Sequence, residues 1–319
     1  MKRIAVLTSG GDCAGMNACI RSVVRTAVYN GLEVVGFLRG YVGLVYNERI
    51  ELNHRSVSGI INLGGTVLRT GRCKEFFHRE SRQLAVKNLE KNRIEGLIVI
   101  GGDGSFKGAD LLCKEFGVKI IGIPATIDND VNGTDLTLGA DTALNVALDA
   151  IDKIRDTANS LERIFVVEVM GRTYGWIAIQ TALAGGCEEV LFPERDYDLE
   201  RMCEEITEGN IRGKISWIII VAEGRAKAQE IASKITEITG LETRVVVLGH
   251  IQRGGRPTAT DRILAARLGA YSVELLLEGN SDLAVGIEHQ RLRTIALEEA
   301  VKPRPLFEDS FYRLIKILT

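Results

Sequence analysis

Residues 97–105 read Leu97-Ile98-Val99-Ile100-Gly101-Gly102-Asp103-Gly104-Ser105, four apolar residues that break into glycines around one acid. An unbroken apolar run leaves no face for water, so it fits a strand of a parallel sheet covered on both sides. Glycines at its end let backbone N–H groups approach a phosphate closely, and a helix N-terminus beyond them adds a favourable dipole. Asp103 within that turn suits a hard cation bridging phosphates. An ordinary tight strand-to-helix turn is the competing reading of the same residues. The dinucleotide pattern G-x-G-x-x-G nearly fits, but Lys107 stands in its last place and Gly108 comes one residue late; the G-x-x-x-x-G-K-[ST] loop is absent.

The same pattern recurs on either side. Ile4 to Thr8 runs into Ser9-Gly10-Gly11-Asp12, and Ile120 to Ile123 runs into Pro124. Phe165 to Val169 precedes Met170-Gly171-Arg172. Ile218 to Val221 precedes Glu223-Gly224, and Val245 to Leu248 precedes Gly249-His250. Helical spacing fills the gaps. From Asp141, a candidate N-cap, apolar residues fall at Leu144, Val146, Ala147, Leu148, Ile151 and Ile154, and a second stripe runs from Asp261 to Gly279. Strands alternating with helices predict a doubly wound α/β fold, with ligands outside the carboxyl ends of the strands. The glycine–polar clusters fall there.

Composition narrows the function. The 319 residues are 45% hydrophobic, and 40 Lys and Arg against 42 Asp and Glu give a net charge of −2. Such a balance argues against coating nucleic acid or an anionic membrane. The longest apolar run, Trp217–Ala222, is far short of a membrane span, and the N-terminal run is too short for a secretory core. Six cysteines without a C-x-x-C pair suggest reduced thiols and a cytoplasmic protein rather than a disulfide or zinc framework. No linker or composition shift marks a domain boundary.

Two further groups carry chemistry. In Pro124-Ala125-Thr126-Ile127-Asp128-Asn129-Asp130, two carboxylates two residues apart repel one another unless a cation or a function offsets the repulsion. One can act as base toward a substrate hydroxyl while the other holds geometry; an Asx-type turn is the bland alternative. Arg72, Arg163, Arg172, Arg244 and Arg253, with His250 nearby, attach to the strand ends and suggest bidentate phosphate recognition.

With these residues in view, the chain resembles the bacterial ATP-dependent 6-phosphofructokinases over essentially its whole length. The carrying motifs, in order, are LTSGGDCAGMN (7–17), GGTVLRTGRC (64–73), IGGDGS (100–105), PATIDND (124–130), ERIFVVEVMGR (162–172), VAEG (221–224) and TRVVVLGHIQRGG (243–255). The resemblance implies two similar doubly wound three-layer α/β domains with mainly parallel sheets and the active site in the cleft between them. It puts residues 1–138 with 252–305 in an ATP domain, and 139–251 with 306–319 in a sugar-phosphate domain. The implied reaction moves the ATP γ-phosphoryl group to the C1 hydroxyl of fructose 6-phosphate, with Mg²⁺ as cofactor.

The same resemblance assigns roles. Asp128 matches the general base, Asp130 its neighbour, Thr126 a contact to substrate and migrating phosphate, and Arg172 the arginine that stabilises developing charge. Gly11, Arg72, Cys73, Gly102, Asp103, Gly104 and Ser105 match ATP positions, Asp103 also the metal position. Met170, Gly171 and Glu223 match sugar contacts. Arg163, Arg244, His250 and Arg253 match the 6-phosphate cradle, the first two reaching in from a neighbouring subunit, so that an oligomer, usually a tetramer, is implied. An effector site between subunits for ADP or phosphoenolpyruvate is matched by Arg21, Arg25, His54, Arg55, Arg155, Glu188, Arg212 and Lys214, with His54 where arginine is usual, Gly59 in place of an acid and Arg212 in place of a lysine. Gly104 and Ala125 stand where pyrophosphate-using relatives carry Asp and Lys, which favours ATP. Trp176 resembles some of those relatives, Phe77 replaces an arginine near the nucleotide, and Ala14 replaces a proline. A pyrophosphate donor and a catalytically silent sensor of ATP and sugar phosphate are the rival readings.

Overall fold

The computed structural model describes residues 1–304 and 309–319. Among them lie eleven strands: β1 (Arg3–Ser9), β2 (Glu33–Phe37), β3 (Arg49–Leu52), β4 (Gly96–Gly101), β5 (Ile120–Pro124), β6 (Ile164–Val169), β7 (Glu189–Leu191), β8 (Trp217–Ala222), β9 (Thr243–Val247), β10 (Leu283–Glu288) and β11 (Arg291–Ala296). The chain forms two compact units, one from Met1–Thr142 with 253–304 and the other from Ala143–Gln252 with 309–319. Their first boundary falls inside the helix Ala140–Leu161. The crossing expected at 305–306 lies outside the described residues.

The first unit holds a seven-stranded sheet in the order β11-β10-β5-β4-β1-β2-β3. Its five inner strands are parallel, and β3 and β11 add antiparallel edges. β4 is buried along its whole length and β1 beyond Arg3, which is why both read as unbroken apolar runs. The chain winds from β1 to β2 in one direction and from β4 to β5 in the other. The carboxyl ends of β1 and β4 are therefore neighbours, Ser9 opposite Gly101, and this reversal of winding opens a crevice for ligands. Gly101 admits no side chain: a β-carbon there would lie 2.4 Å from Ser105 Oγ and 2.6 Å from the Ser9 carbonyl oxygen.

The second unit holds a four-stranded parallel sheet in the order β7-β8-β6-β9. Ile164, Val166, Trp217, Ile219 and Val221 pack on Met202, Ile206, Ile231 and Ile235 from two helices, Leu199–Ile211 and Ala228–Thr239. Each such side chain contributes roughly 1.5–3 kcal/mol by leaving water. The expectation that 245–248 is covered on both faces is corrected, because β9 is an edge strand and Val247 is 58% exposed.

Two helix starts also differ from the sequence reading. The helix begins at Ala140, so Asp141 lies inside its first turn, where its carboxylate accepts a hydrogen bond from Thr258 Oγ1 at 2.5 Å. The later helix is Ala259–Leu277, capped by Thr258, whose hydroxyl oxygen accepts from the Asp261 N–H. Asp261 is fully buried and instead accepts from Gly139 N, Thr142 N and Thr142 Oγ1, tying the 139–142 segment to this helix. Among the described residues no helix is long and apolar enough to cross a membrane.

Candidate active site

The crevice between the ends of β1 and β4 is lined by backbone. Gly102 is extended and precedes the helix Asp103–Phe116, and a β-carbon on Gly104 would meet nothing within 4 Å. Gly11 faces Arg253, whose Nη1 also donates to the Asp12 carbonyl at 3.2 Å. Ser105 is held from behind by Tyr41, whose hydroxyl donates to the Ser105 carbonyl at 2.6 Å. Tyr41 stacks on Phe76 with ring centroids 4.1 Å apart. Phe76 lies in the 3₁₀ turn Lys74–Phe77, and Arg82 Nη1 donates to the carbonyls of both Phe76 and Phe77. Arg82 in turn grips Glu115 bidentately, at 2.9 and 2.6 Å. Arg72 is exposed and Cys73 half-buried just before this turn, and partial burial pushes the Cys73 thiol upward. Tyr41 and Arg82 carry no sequence signal, because their partners lie on other elements.

Beside this crevice, the loop after β5 is held on itself. Thr126 N donates to Leu138 O, Leu138 N to Pro124 O, and Thr137 Oγ1 to Thr126 O. Thr126 Oγ1 accepts from the Asp128 N–H at 3.2 Å, so the threonine hydroxyl sets the turn that presents Asp128. Asn129, fully buried at φ +52°, accepts from Thr137 N at 2.9 Å and donates to Asp135 O at 3.2 Å. Asparagine tolerates this left-handed conformation better than most residues. Asp128 is buried and Asp130 half-buried. A β-carbon on Gly102 would lie 3.4 Å from Thr126 Cβ, and Gly101 O accepts from Ala125 N at 2.9 Å, so the glycine turn and the carboxylate loop are neighbours.

In the second unit, Met170, Gly171, Arg172, Glu223 and His250 all follow the carboxyl ends of β6, β8 or β9. Met170 N donates to Gln252 Oε1 at 2.8 Å. Gly171 has φ +138° and Arg172 φ +51°, and the Arg172 N–H donates to Glu223 Oε1 at 3.1 Å. Gly224 packs directly under this turn: a β-carbon there would lie 1.6 Å from the Arg172 carbonyl oxygen. Trp176 opens the following helix, Trp176–Gly185, where Gly175 N donates to Glu194. Arg163 and Arg244 lie elsewhere. They sit at the opposite, amino-terminal edge of the sheet, where both pair with Glu242.

The residues matched to an effector site fall into two groups. Arg21 and Arg25 lie one turn apart on the helix Met16–Tyr29 of the first unit, which also carries the exposed His54 and Arg55. Gly59 has φ +73° in open space, a conformation that disfavours the acid it replaces. In the second unit Arg155 donates to the carbonyls of Gly185 and Gly186, and Glu188 accepts from Ile218 N while pairing with Lys214 at 3.3 Å. Lys214 lies over the Trp217 ring, and the exposed Arg212 pairs with Glu208.

Among the described residues no three acidic, histidine or cysteine side chains cluster as an all-protein metal cage. Asp103, one-third exposed and paired with Lys107 at 2.8 Å, is a single carboxylate at the lip of the glycine turn. That donor set fits a magnesium ion held by one carboxylate together with phosphate oxygens and water.

The sequence profile of the family described as Phosphofructokinase matches residues 3–276. Two curated relatives, both named ATP-dependent 6-phosphofructokinase, are similar along the full length of both chains. The one from Bacillus licheniformis is 54% identical over 319 residues, and the one from Halothermothrix orenii 51% identical over 331 residues. Among solved structures, phosphofructokinase from Saccharomyces cerevisiae superposes with a TM-score of 0.89 at 37% identity, covering 94% of this chain and 45% of that one.

Proposed function

The chain belongs to the phosphofructokinase family, and on that premise we propose that it transfers the γ-phosphoryl group of ATP to the C1 hydroxyl of fructose 6-phosphate. The products are ADP and fructose 1,6-bisphosphate, which makes it a phosphotransferase of glycolysis. The observation that carries this reading is the adjacency of the 101–104 glycine turn and the loop bearing Asp128, joined by the bond from Ala125 N to Gly101 O.

In the mechanism, Asp128 takes the proton of the C1 hydroxyl as its oxygen forms the new bond to phosphorus. The bond to the ADP oxygen breaks, and the proton leaves Asp128 for solvent in a later step. Asp130 helps hold the site. A positioned base typically contributes about 10²–10⁴-fold. Arg172 stabilises the charge spreading over the migrating group, and its backbone bond to Glu223 links that role to a sugar contact. Asp103 would hold Mg²⁺, which supplies charge neutralisation of the donor phosphates. Gly11, Gly102, Gly104 and Ser105 offer backbone to those phosphates, with Arg72 and Cys73 toward the nucleoside. Met170 and Gly171 contact the sugar, and His250 and Arg253 receive the 6-phosphate.

Arg163 and Arg244 complete the phosphate cradle of a neighbouring subunit. Their place on the far edge of the sheet supports that reading, because they stand away from Met170 and Arg172 of their own chain. That reading implies an oligomer, in this family usually a tetramer, with an inter-subunit effector site for ADP or phosphoenolpyruvate built from Arg21, Arg25, His54, Arg55, Arg155, Glu188, Arg212 and Lys214. Six free cysteines among the described residues support a cytoplasmic location.

A coupled assay comparing ATP with pyrophosphate as donor tests the proposal. The open space beside Gly104 supports ATP, and higher turnover with pyrophosphate would overturn that choice. Asp128→Asn is expected to lower kcat about 10²–10⁴-fold while ATP still binds; unchanged turnover would remove Asp128 as base.

A further inference from the structure

Four contacts run from the segment 299–304 to the loop that carries the two aspartates. Asn132 Nδ2 donates to Glu299 O at 3.1 Å, Val131 forms an antiparallel bridge with Pro303, and Arg304 Nη1 donates to the carbonyl of Asn129 at 2.9 Å. Arg304 Nη2 reaches Asp135 O at 3.3 Å, the same carbonyl that the Asn129 amide engages. The guanidinium thus grips the peptide between Asp128 and Asp130 and, at the same time, the far side of the loop. The loop and the Arg304 side chain together border a cavity of about 340 Å³, whose walls include Asn132, Gly133, Thr134, Asp135 and Arg304. The loop has room to relax in that direction.

We propose that Arg304 is a positioning residue for phosphoryl transfer, fixing the backbone between the two carboxylates so that Asp128 faces the acceptor hydroxyl. The inference rests on the reading of Asp128 as base. A planar fork of donors is suited to bridging two carbonyls, which an ammonium or an amide can do only in part. The neighbouring contacts at Val131 and Asn132 keep the loop folded without it. Losing Arg304 therefore affects the aim of the carboxylate more than the stability of the unit.

The test compares Arg304→Met and Arg304→Lys with the parent enzyme, Asp128→Asn being measured alongside. Arg304→Met is expected to lower kcat by roughly ten- to a hundredfold, the scale of an ångström of misplacement, with KM for both substrates within about twofold. Arg304→Lys is expected to recover part of kcat, since its ammonium still reaches one carbonyl. If Arg304→Met fails to fold, the same kcat-against-KM comparison on Arg304→Lys and Arg304→Gln decides. Parental kcat in the folded variants overturns the proposal, as does a loss shared equally by kcat and both KM values without recovery in the lysine variant. Parental turnover in Asp128→Asn instead refutes the base, whatever Arg304 does.

Discussion

The guanidinium of Arg253 occupies the space that a side chain on Gly11 would need, with Nη1 2.3 Å from the ideal β-carbon position. A glycine matched to the nucleotide and an arginine matched to the sugar phosphate are thus packed against each other.

Gly11→Ala is accordingly expected to act on the acceptor. The far end of a flexible side chain moves aside cheaply, so the melting temperature stays within about 2 °C of the parent. With Arg253 in its proposed role, the displaced arginine is expected to lose charge-assisted bonds to the 6-phosphate, raising KM for fructose 6-phosphate about tenfold. Steady-state kinetics with each substrate varied in turn checks this. A rise confined to KM for ATP would show that Arg253 does not feel the methyl group.

Gly224→Ala meets backbone rather than side chain. Its methyl group collides with the Arg172 carbonyl in a turn already at φ +51°. Overpacking of this kind costs about 1–3 kcal/mol, and the shifted turn carries the arginine away from developing charge. Thermal unfolding and kcat are expected to fall together, kcat by about a hundredfold. A variant with parental kcat would show that the turn repacks without moving Arg172.

Asp103→Asn removes the carboxylate at the lip of the glycine turn and frees Lys107 from its ion pair. The magnesium concentration for half-maximal activity is expected to rise about tenfold, equivalent to roughly 1.4 kcal/mol. Chelation abolishes activity in parent and variant alike. An unaltered magnesium requirement would place the cation on other groups.

Glu115 offers a pH test of the support behind the nucleotide turn. The hydrogen bond from Arg82 holds its carboxyl below the ordinary value of 4.5. A depressed carboxylate stabilises the fold above its unfolded pKa, and that contribution disappears as pH falls through the folded value. Glu115→Gln should therefore melt below the parent at pH 7, with the gap closing under pH 4.5. A gap that persists in acid would mean that the variant loses packing rather than charge.

The sequence disclosed β1, β4, β5, β6 and β8 because their burial on both faces writes itself as unbroken aliphatic runs. β3 and β11 carry no such run, since β3 is largely exposed and β11 half-buried, and both mix charged with apolar residues. β7 has three residues, too few for a period. The strand-end clusters were legible for the same reason as the strands: glycine is tolerated there only where backbone must come close. Asp141 reads as a cap because an acid near a helix start suggests one, and Asp261 reads as the start of its helix, whereas both serve bonds to distant segments. The braces were invisible. Arg304 is 175 residues from Asn129, and Arg82 is 33 from Glu115, so no local pattern couples them.

The seven-stranded sheet is finished by chain made long after it is begun. β5 ends at Pro124, while β10, its outer neighbour, starts only at Leu283. A ribosome making this protein therefore releases an aliphatic strand whose outer edge stays bare until Leu283 has been made. Such an edge is a template for pairing with other nascent chains. The interleaved order of strands along the chain thus makes biosynthesis a stage at which this protein is exposed to aggregation.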